Sequence, residues 1–130
     1  MTDHKAEGIQ ALKEMREAKC DINIVLTHSR TGVDLEFWYA AVVIEGLRID
    51  ALVGGHDHYA AYLKLTYNGL VTQFVKTGSD AHLLGQLVQT RIRLAGRRLA
   101  RVSQQLHVTP LNAILDAVSL GLPPDVAVGF

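Results

Sequence analysis

Ile49-Asp50-Ala51-Leu52-Val53-Gly54-Gly55-His56-Asp57-His58 is the stretch from which the fold is read. An apolar run ends in two glycines, and two histidines one residue apart follow at once. Leu52 and Val53 read as the end of a short buried strand, while Gly54 and Gly55 let the backbone turn where a side chain would obstruct it. The imidazoles of His56 and His58 are thereby delivered at the strand's tip. Neutral nitrogen donors held there suit zinc, manganese or iron. With six histidines in the chain an H-x-H pair alone is a weak motif, and the strand and glycines in front of it supply the context that a stray pair lacks.

Outward from this stretch, the chain upstream reads as one β-α-β unit. Ile22 to Leu26 is a short apolar run interrupted only by Asn23, which predicts a strand buried on both faces, as in α/β proteins. It leads past His28 into a polar turn at Ser29 to Gly32. From Asp34 to Glu45, Leu35, Trp38, Ala41, Val42 and Glu45 recur at helical spacing, so a helix returns the chain to the strand Ala51 to Val53. His28 then stands at one strand exit and His56 and His58 at the next, the end at which open α/β sheets put their ligands. Ahead of the unit, Asp3 opens an amphipathic helix whose apolar face is Ile9, Leu12 and Met15 and which ends near Lys19.

Downstream the periodicity changes to two. Leu63 and Leu65 alternate with Lys64 and Thr66, Asn68-Gly69 supplies a two-residue turn, and Leu70 to Lys76 returns. After Thr77-Gly78-Ser79-Asp80, Val88, Thr90, Ile92 and Leu94 alternate with Gln89, Arg91 and Arg93. Ala95-Gly96 offers another turn, with Leu99 to Ser103 coming back. Pro110 to Leu120 has a helical pattern through Leu111, Ile114, Leu115 and Val118, and a short apolar tail follows. The predicted class is α/β, a β-α-β unit followed by antiparallel hairpins.

The motif Gly54-Gly55-His56-Asp57-His58 resembles the closing metal-ligand motif of the calcineurin-like metallophosphoesterases, especially their 5′-nucleotidase branch. Two further stretches resemble that family in order and spacing. Ile22 to Arg30 is similar to the strand that ends in the preceding ligand histidine, here His28, and Phe74 to Asp80 to the strand and turn after the histidine loop. The three matches cover Ile22 to Leu94. The resemblance implies a partial α/β/β/α sandwich, with residues 1–105 as the C-terminal portion of the catalytic domain and 106–130 as an unassigned helix and tail. It implies a metal-dependent phosphoric monoester hydrolase acting in nucleotide catabolism, with a phosphate monoester or nucleotide as substrate. Two divalent ions (Zn, Mn or Fe) roughly 3.5–4 Å apart activate water in such enzymes. His28 and His56 would bind one of them and His58 the other.

The family's upstream ligands, in D-x-H, G-D-x-x-D and G-N-H motifs, do not occur ahead of His28. Asp80-Ala81-His82 has the first spelling but follows the histidine loop instead of preceding it. Two dications at bonding distance need a bridging carboxylate or hydroxide between them. Three imidazoles supply none, so at most one ion is expected here. Asp57 reads as a further ligand, as a partner orienting an imidazole, or as a solvated loop carboxylate. Lys76 reads as a solvated strand end, and His4 and His107 as incidental. A second function therefore stands beside the hydrolase: a catalytically silent fragment or interaction module whose metal loop holds one ion or none.

Composition constrains the partners. Thirteen Lys and Arg balance thirteen Asp and Glu, so no global field draws the chain to nucleic acid or an anionic membrane. Arg91, Arg93, Arg97, Arg98 and Arg101 surround one predicted turn, and they read as the charged face of an edge hairpin in preference to a phosphate grip. The single cysteine, Cys20, cannot form an internal disulfide and suits a reducing compartment. Met1 to Gly8 lacks the apolar core of a signal peptide and no run approaches a bilayer span, so the expected localisation is cytoplasmic. A partial sandwich exposes apolar sheet, which predicts self-association.

Overall fold

Asp3 caps the first helix, α1 (His4–Glu17), its carboxylate accepting from the backbone N–H groups of Lys5 and Ala6 at 3.1 and 3.4 Å. Leu12 is its buried residue, with Ile9 and Met15 packed beside it on the core. Beyond the last turn Lys19 takes a left-handed φ of 57°, and Lys19 N–H and Cys20 N–H return to the carbonyls of Arg16 and Met15. That reciprocal pair of bonds stops the helix. In this computed structural model, residues 3–79, 83–92 and 100–110 are described, and they fall into two units that divide after Lys76.

The first unit holds the predicted β-α-β. β1 (Ile24–Leu26) leads to α2 (Thr31–Trp38), and α2 continues without a break into wider π-helical turns over Tyr39–Ile44. The wide turns place two consecutive residues, Ala41 and Val42, in the core. β2 (Ala51–Gly54) then pairs in parallel with β1, Ile24 opposite Ala51 and Leu26 opposite Val53. The helix was predicted from Asp34 and begins three residues earlier, because Thr31 is held by a distant carboxylate described below.

β3 (Ala60–Tyr67) and β4 (Leu70–Thr77) form the predicted hairpin. Asn68 and Gly69 both have positive φ, 48° and 77°, the conformation a two-residue hairpin turn requires. β4 lies parallel to β2, with Ala51 opposite Gln73 and Gly54 opposite Lys76. The sheet is mixed, in the order β1-β2-β4-β3. Leu12, Phe37, Val42, Leu47, Ile49, Leu52 and Phe74 make its core. One polar thread crosses it: Trp38 Nε1–H donates to Thr72 Oγ1 at 2.9 Å, and that hydroxyl donates to the Ile49 carbonyl at 2.6 Å.

The sequence predicted β1 to be buried on both faces, and the structure corrects this. β1 is an edge strand in this sheet, and Ile24 and Leu26 are 57% and 80% exposed while Asn23 between them and Ile22 is 4% exposed. A run of apolar residues cannot distinguish a central strand from an edge strand, since only the neighbouring strands decide which faces are covered. Asn23 belongs to the buried side because its N–H is taken by the Asp50 carboxylate at 2.9 Å and its amide donates to the Arg48 carbonyl at 2.9 Å.

In the second unit β5 (Leu83–Ile92) pairs antiparallel with β6 (Ala100–Pro110), from Leu83 opposite Pro110 to Ile92 opposite Ala100, with an irregularity between Thr90 and Arg91. The hairpin is longer than predicted, and β6 runs through the boundary expected at residue 105. The Ala95-Gly96 turn, Asp80-Ala81-His82, Arg93, Arg97, Arg98 and the predicted C-terminal helix lie outside the described residues. The chain is thus α/β, a mixed sheet with helices plus an antiparallel hairpin sheet. No helix among the described residues is long and apolar enough to cross a membrane.

Two truncations check the assignment of edge and centre. Leu52→Ala, at a fully buried position of β2, is expected to cost about 2–5 kcal/mol in urea denaturation, and Leu26→Ala on the open face of β1 to stay within about 0.5 kcal/mol of wild type. Comparable losses at the two positions would show β1 to be covered.

Candidate functional site

The parallel strands β1, β2 and β4 all end on the same side of the sheet, where His28, Asp34, His56, Asp57 and Lys76 come together. His28 follows β1 by two residues, and His56, Asp57 and His58 follow β2 after Gly55. The rings of His28 and His56 stand edge to face with centroids 5.5 Å apart. Two imidazoles separated by 28 positions are thus neighbours, as the β-α-β reading predicts. His58 does not complete a triad: among the described residues no group of three or more His, Cys, Asp or Glu side chains is arranged to hold a metal ion. All three histidines are exposed.

The loop that carries them has an unusual backbone. His56 and His58 both have positive φ, 76° and 60°, a region costing non-glycine residues about 1–2 kcal/mol each. Something must hold them in place, and Asp57 between them does so. Its Oδ2 accepts from Thr31 N–H and Thr31 Oγ1–H, both at 2.6 Å, and from Lys76 Nζ at 2.9 Å. Thr31 is the first residue of α2, whose own N-cap, Arg30, offers no side-chain bond. Asp57 therefore caps the helix from across the site, where a negative charge also meets the helix dipole favourably. Tyr59 closes the loop by donating from its hydroxyl to Thr31 Oγ1 at 2.9 Å. The solvated-carboxylate alternative for Asp57 is overturned, and it positions His56 and His58 through the loop it anchors.

Lys76 is the residue that sequence reasoning missed. The sequence predicts a solvated strand end, but the Lys76 side chain is 1% exposed. Nζ donates to the Ser29 carbonyl at 2.6 Å and to Asp57 at 2.9 Å, and lies 3.0 Å from Asp34 Oδ2. Asp34, read as a helix-opening residue, is equally hidden at 2%. Two signals for these positions were present. Lys76 shares the period-two face of β4 with Thr72 and Phe74, both buried, and Asp34 falls on the same helical face as Phe37 and Ala41.

Glycine makes the packing feasible. A Cβ at Gly54 would lie 2.9 Å from Lys76 Cε and from Thr27 Oγ1 and 3.2 Å from Asp34 Oδ2, and one at Gly55 would lie 3.2 Å from His28 Nδ1. The paired glycines thus admit the lysine stem and the His28 ring, a different service from the turn expected of them.

The electrostatics follow from these contacts. The Thr31 hydroxyl, then Lys76, hold the Asp57 carboxyl far below the ordinary carboxylate range despite partial burial. For Lys76, burial alone pushes the ammonium toward losing its proton, but the bonds to Asp57 and Asp34 outweigh it and the net shift is upward. Two carboxyl groups, those of Asp34 and Asp57, thus face the single ammonium of Lys76. In the second unit Arg91 Nη2 donates to Gln89 Oε1 at 3.0 Å along its own strand, which fits a hairpin face.

Comparison of the chain with protein-family models, curated proteins and solved structures finds no match.

Asp57 sets a pH dependence. Its folded pKa lies below the unfolded value of about 3.9, so it stabilises the fold above about pH 4, and that stability is lost as the pH falls toward the depressed folded value. Thermal melting is expected to drop in the wild type below about pH 4, and Asp57→Asn to start lower and to flatten this acid limb. Gly54→Ala is expected to cost about 1–3 kcal/mol, since its methyl group collides with the lysine stem.

Proposed function

We propose that the chain carries the histidine-bearing part of a divalent-metal-dependent phosphoric monoester hydrolase of the 5′-nucleotidase type, with a nucleotide or other phosphate monoester as substrate. The observation that carries this reading is the meeting of His28 and His56 at adjacent parallel strand exits. His58 shares the loop of His56, but among the described residues it completes no three-residue metal-binding group with them. The two rings, with centroids 5.5 Å apart, would supply two imidazole nitrogens to a divalent ion. Bound there, zinc, manganese or iron would supply a Lewis acid and an activated water.

The chain's own residues do the positioning. Gly55 lets His28 approach the loop, Asp57 fixes the strained backbone of His56 and His58, and Lys76 holds Asp57. The mixed sheet is read as part of an α/β/β/α sandwich, and the single cysteine suits a reducing, cytoplasmic setting.

One observation favours a second reading, a catalytically silent interaction module. Lys76 already takes both buried carboxylates of the site, which leaves neither to bridge two metal ions. Ile22, Ile24 and Leu26 meanwhile present an open apolar edge suited to self-association.

Metal content and turnover separate the two. Under the hydrolase reading, purified protein binds one zinc or manganese per chain and hydrolyses AMP or p-nitrophenyl phosphate, and His56→Ala lowers both by at least roughly 100-fold. Stoichiometric metal without turnover, in a protein that sediments as an oligomer, would establish the silent module. Absence of metal binding by the folded chain would end the hydrolase reading.

A further inference from the structure

Lys76 occupies a position that has the features of an ion site. Its ammonium has three N–H donors, and three oxygens meet it: the Ser29 carbonyl at 2.6 Å, Asp57 Oδ2 at 2.9 Å and Asp34 Oδ2 at 3.0 Å. These oxygens come from the loop after β1, the loop after β2, and α2. Carboxylate and carbonyl oxygens are the hard donors that bind sodium, magnesium and calcium, and two acidic side chains 2% and 13% exposed need a positive charge between them. The lysine stem reaches that point through the space left by Gly54, where a Cβ would come within 2.9 Å of Cε.

We propose that Asp34, Asp57 and Ser29 form a cation site which Lys76 fills as a tethered cation, and that this internal charge, in place of a second metal ion, holds the His56–His58 loop. A dication brought beside the ammonium would be repelled and would find both carboxylates engaged. The metal site is therefore mononuclear, a corollary that rests on the function proposed above, whereas the tethered cation itself does not.

The test uses the full chain in EDTA. Lys76→Met keeps most of the stem and deletes the charge; Lys76→Ala opens the space. Both are expected to lower the melting midpoint by roughly 10 °C or more. After the EDTA is removed by dialysis, methylammonium, magnesium or calcium chloride should restore at least half of that loss in Lys76→Ala and none in Lys76→Met, with tetramethylammonium chloride as the ionic-strength control. Wild type should keep its midpoint, and the amide-exchange protection of residues 55–58, in EDTA. The idea is overturned if Lys76→Met melts with wild type, if EDTA strips that protection, or if Lys76→Ala responds to no cation beyond the control. Should Lys76→Ala not fold, Lys76→Met combined with Asp34→Asn decides. A cation and its ligand require the second change to cost much less than it does alone, and additive losses refute the pairing. Zinc stoichiometry of the wild type separates this from the metal reading: none bound, with a cation-restored Lys76→Ala, sinks only the metal, and two per chain sink the mononuclear corollary.

Discussion

Lys76 Nζ, buried with two carboxylates and a carbonyl around it, is the contact on which the site's geometry rests. An ammonium in so enclosed a place is tolerable only when every N–H has an acceptor and a negative charge is near. The Ser29 carbonyl and Asp57 accept from it, and Asp34 Oδ2, 3.0 Å away, adds a second negative charge. They also belong to three different segments, so one side chain of β4 fixes the loop after β1, the loop after β2 and the start of α2 together. The arrangement is specific because each partner depends on the others: removing any one leaves a buried charge with unmet demand.

Asp57 extends this constraint to the backbone. It occupies the N-terminus of α2, where Arg30 gives no side-chain cap, and it sits between two histidines held at positive φ. A short strained loop persists only where its surroundings over-determine it, and the Thr31 and Lys76 bonds provide that. The exposed His28 and His56 rings therefore stand on two loops that Lys76 ties together.

The main outlines of the fold were legible in the sequence, element by element. The helix face of Ile9, Leu12 and Met15, the β-α-β around His28, and the Asn68-Gly69 turn all rest on local periodicity or turn chemistry, and they appear where those patterns place them. Topology alone brought His28 to His56. Three features were not legible. The wide helical turns over Tyr39–Ile44 have the same apolar spacing as an ordinary helix. The open face of β1 depends on which strands lie beside it. For Lys76 the period-two alignment with Thr72 and Phe74 marks its face, but a charged residue at a strand end is ordinarily solvated, and its two carboxylate partners, 19 and 42 positions away, are not legible locally.

By itself, then, the sequence determined the elements, their order and the placing of the histidines at strand exits, since periodicity, glycines and turn residues act over a few positions. Only the tertiary structure decided which charges are buried together and which strand is left at an edge. Those outcomes depend on the register that sets Gly54 opposite Lys76, and register is a relation between distant segments that no local pattern encodes.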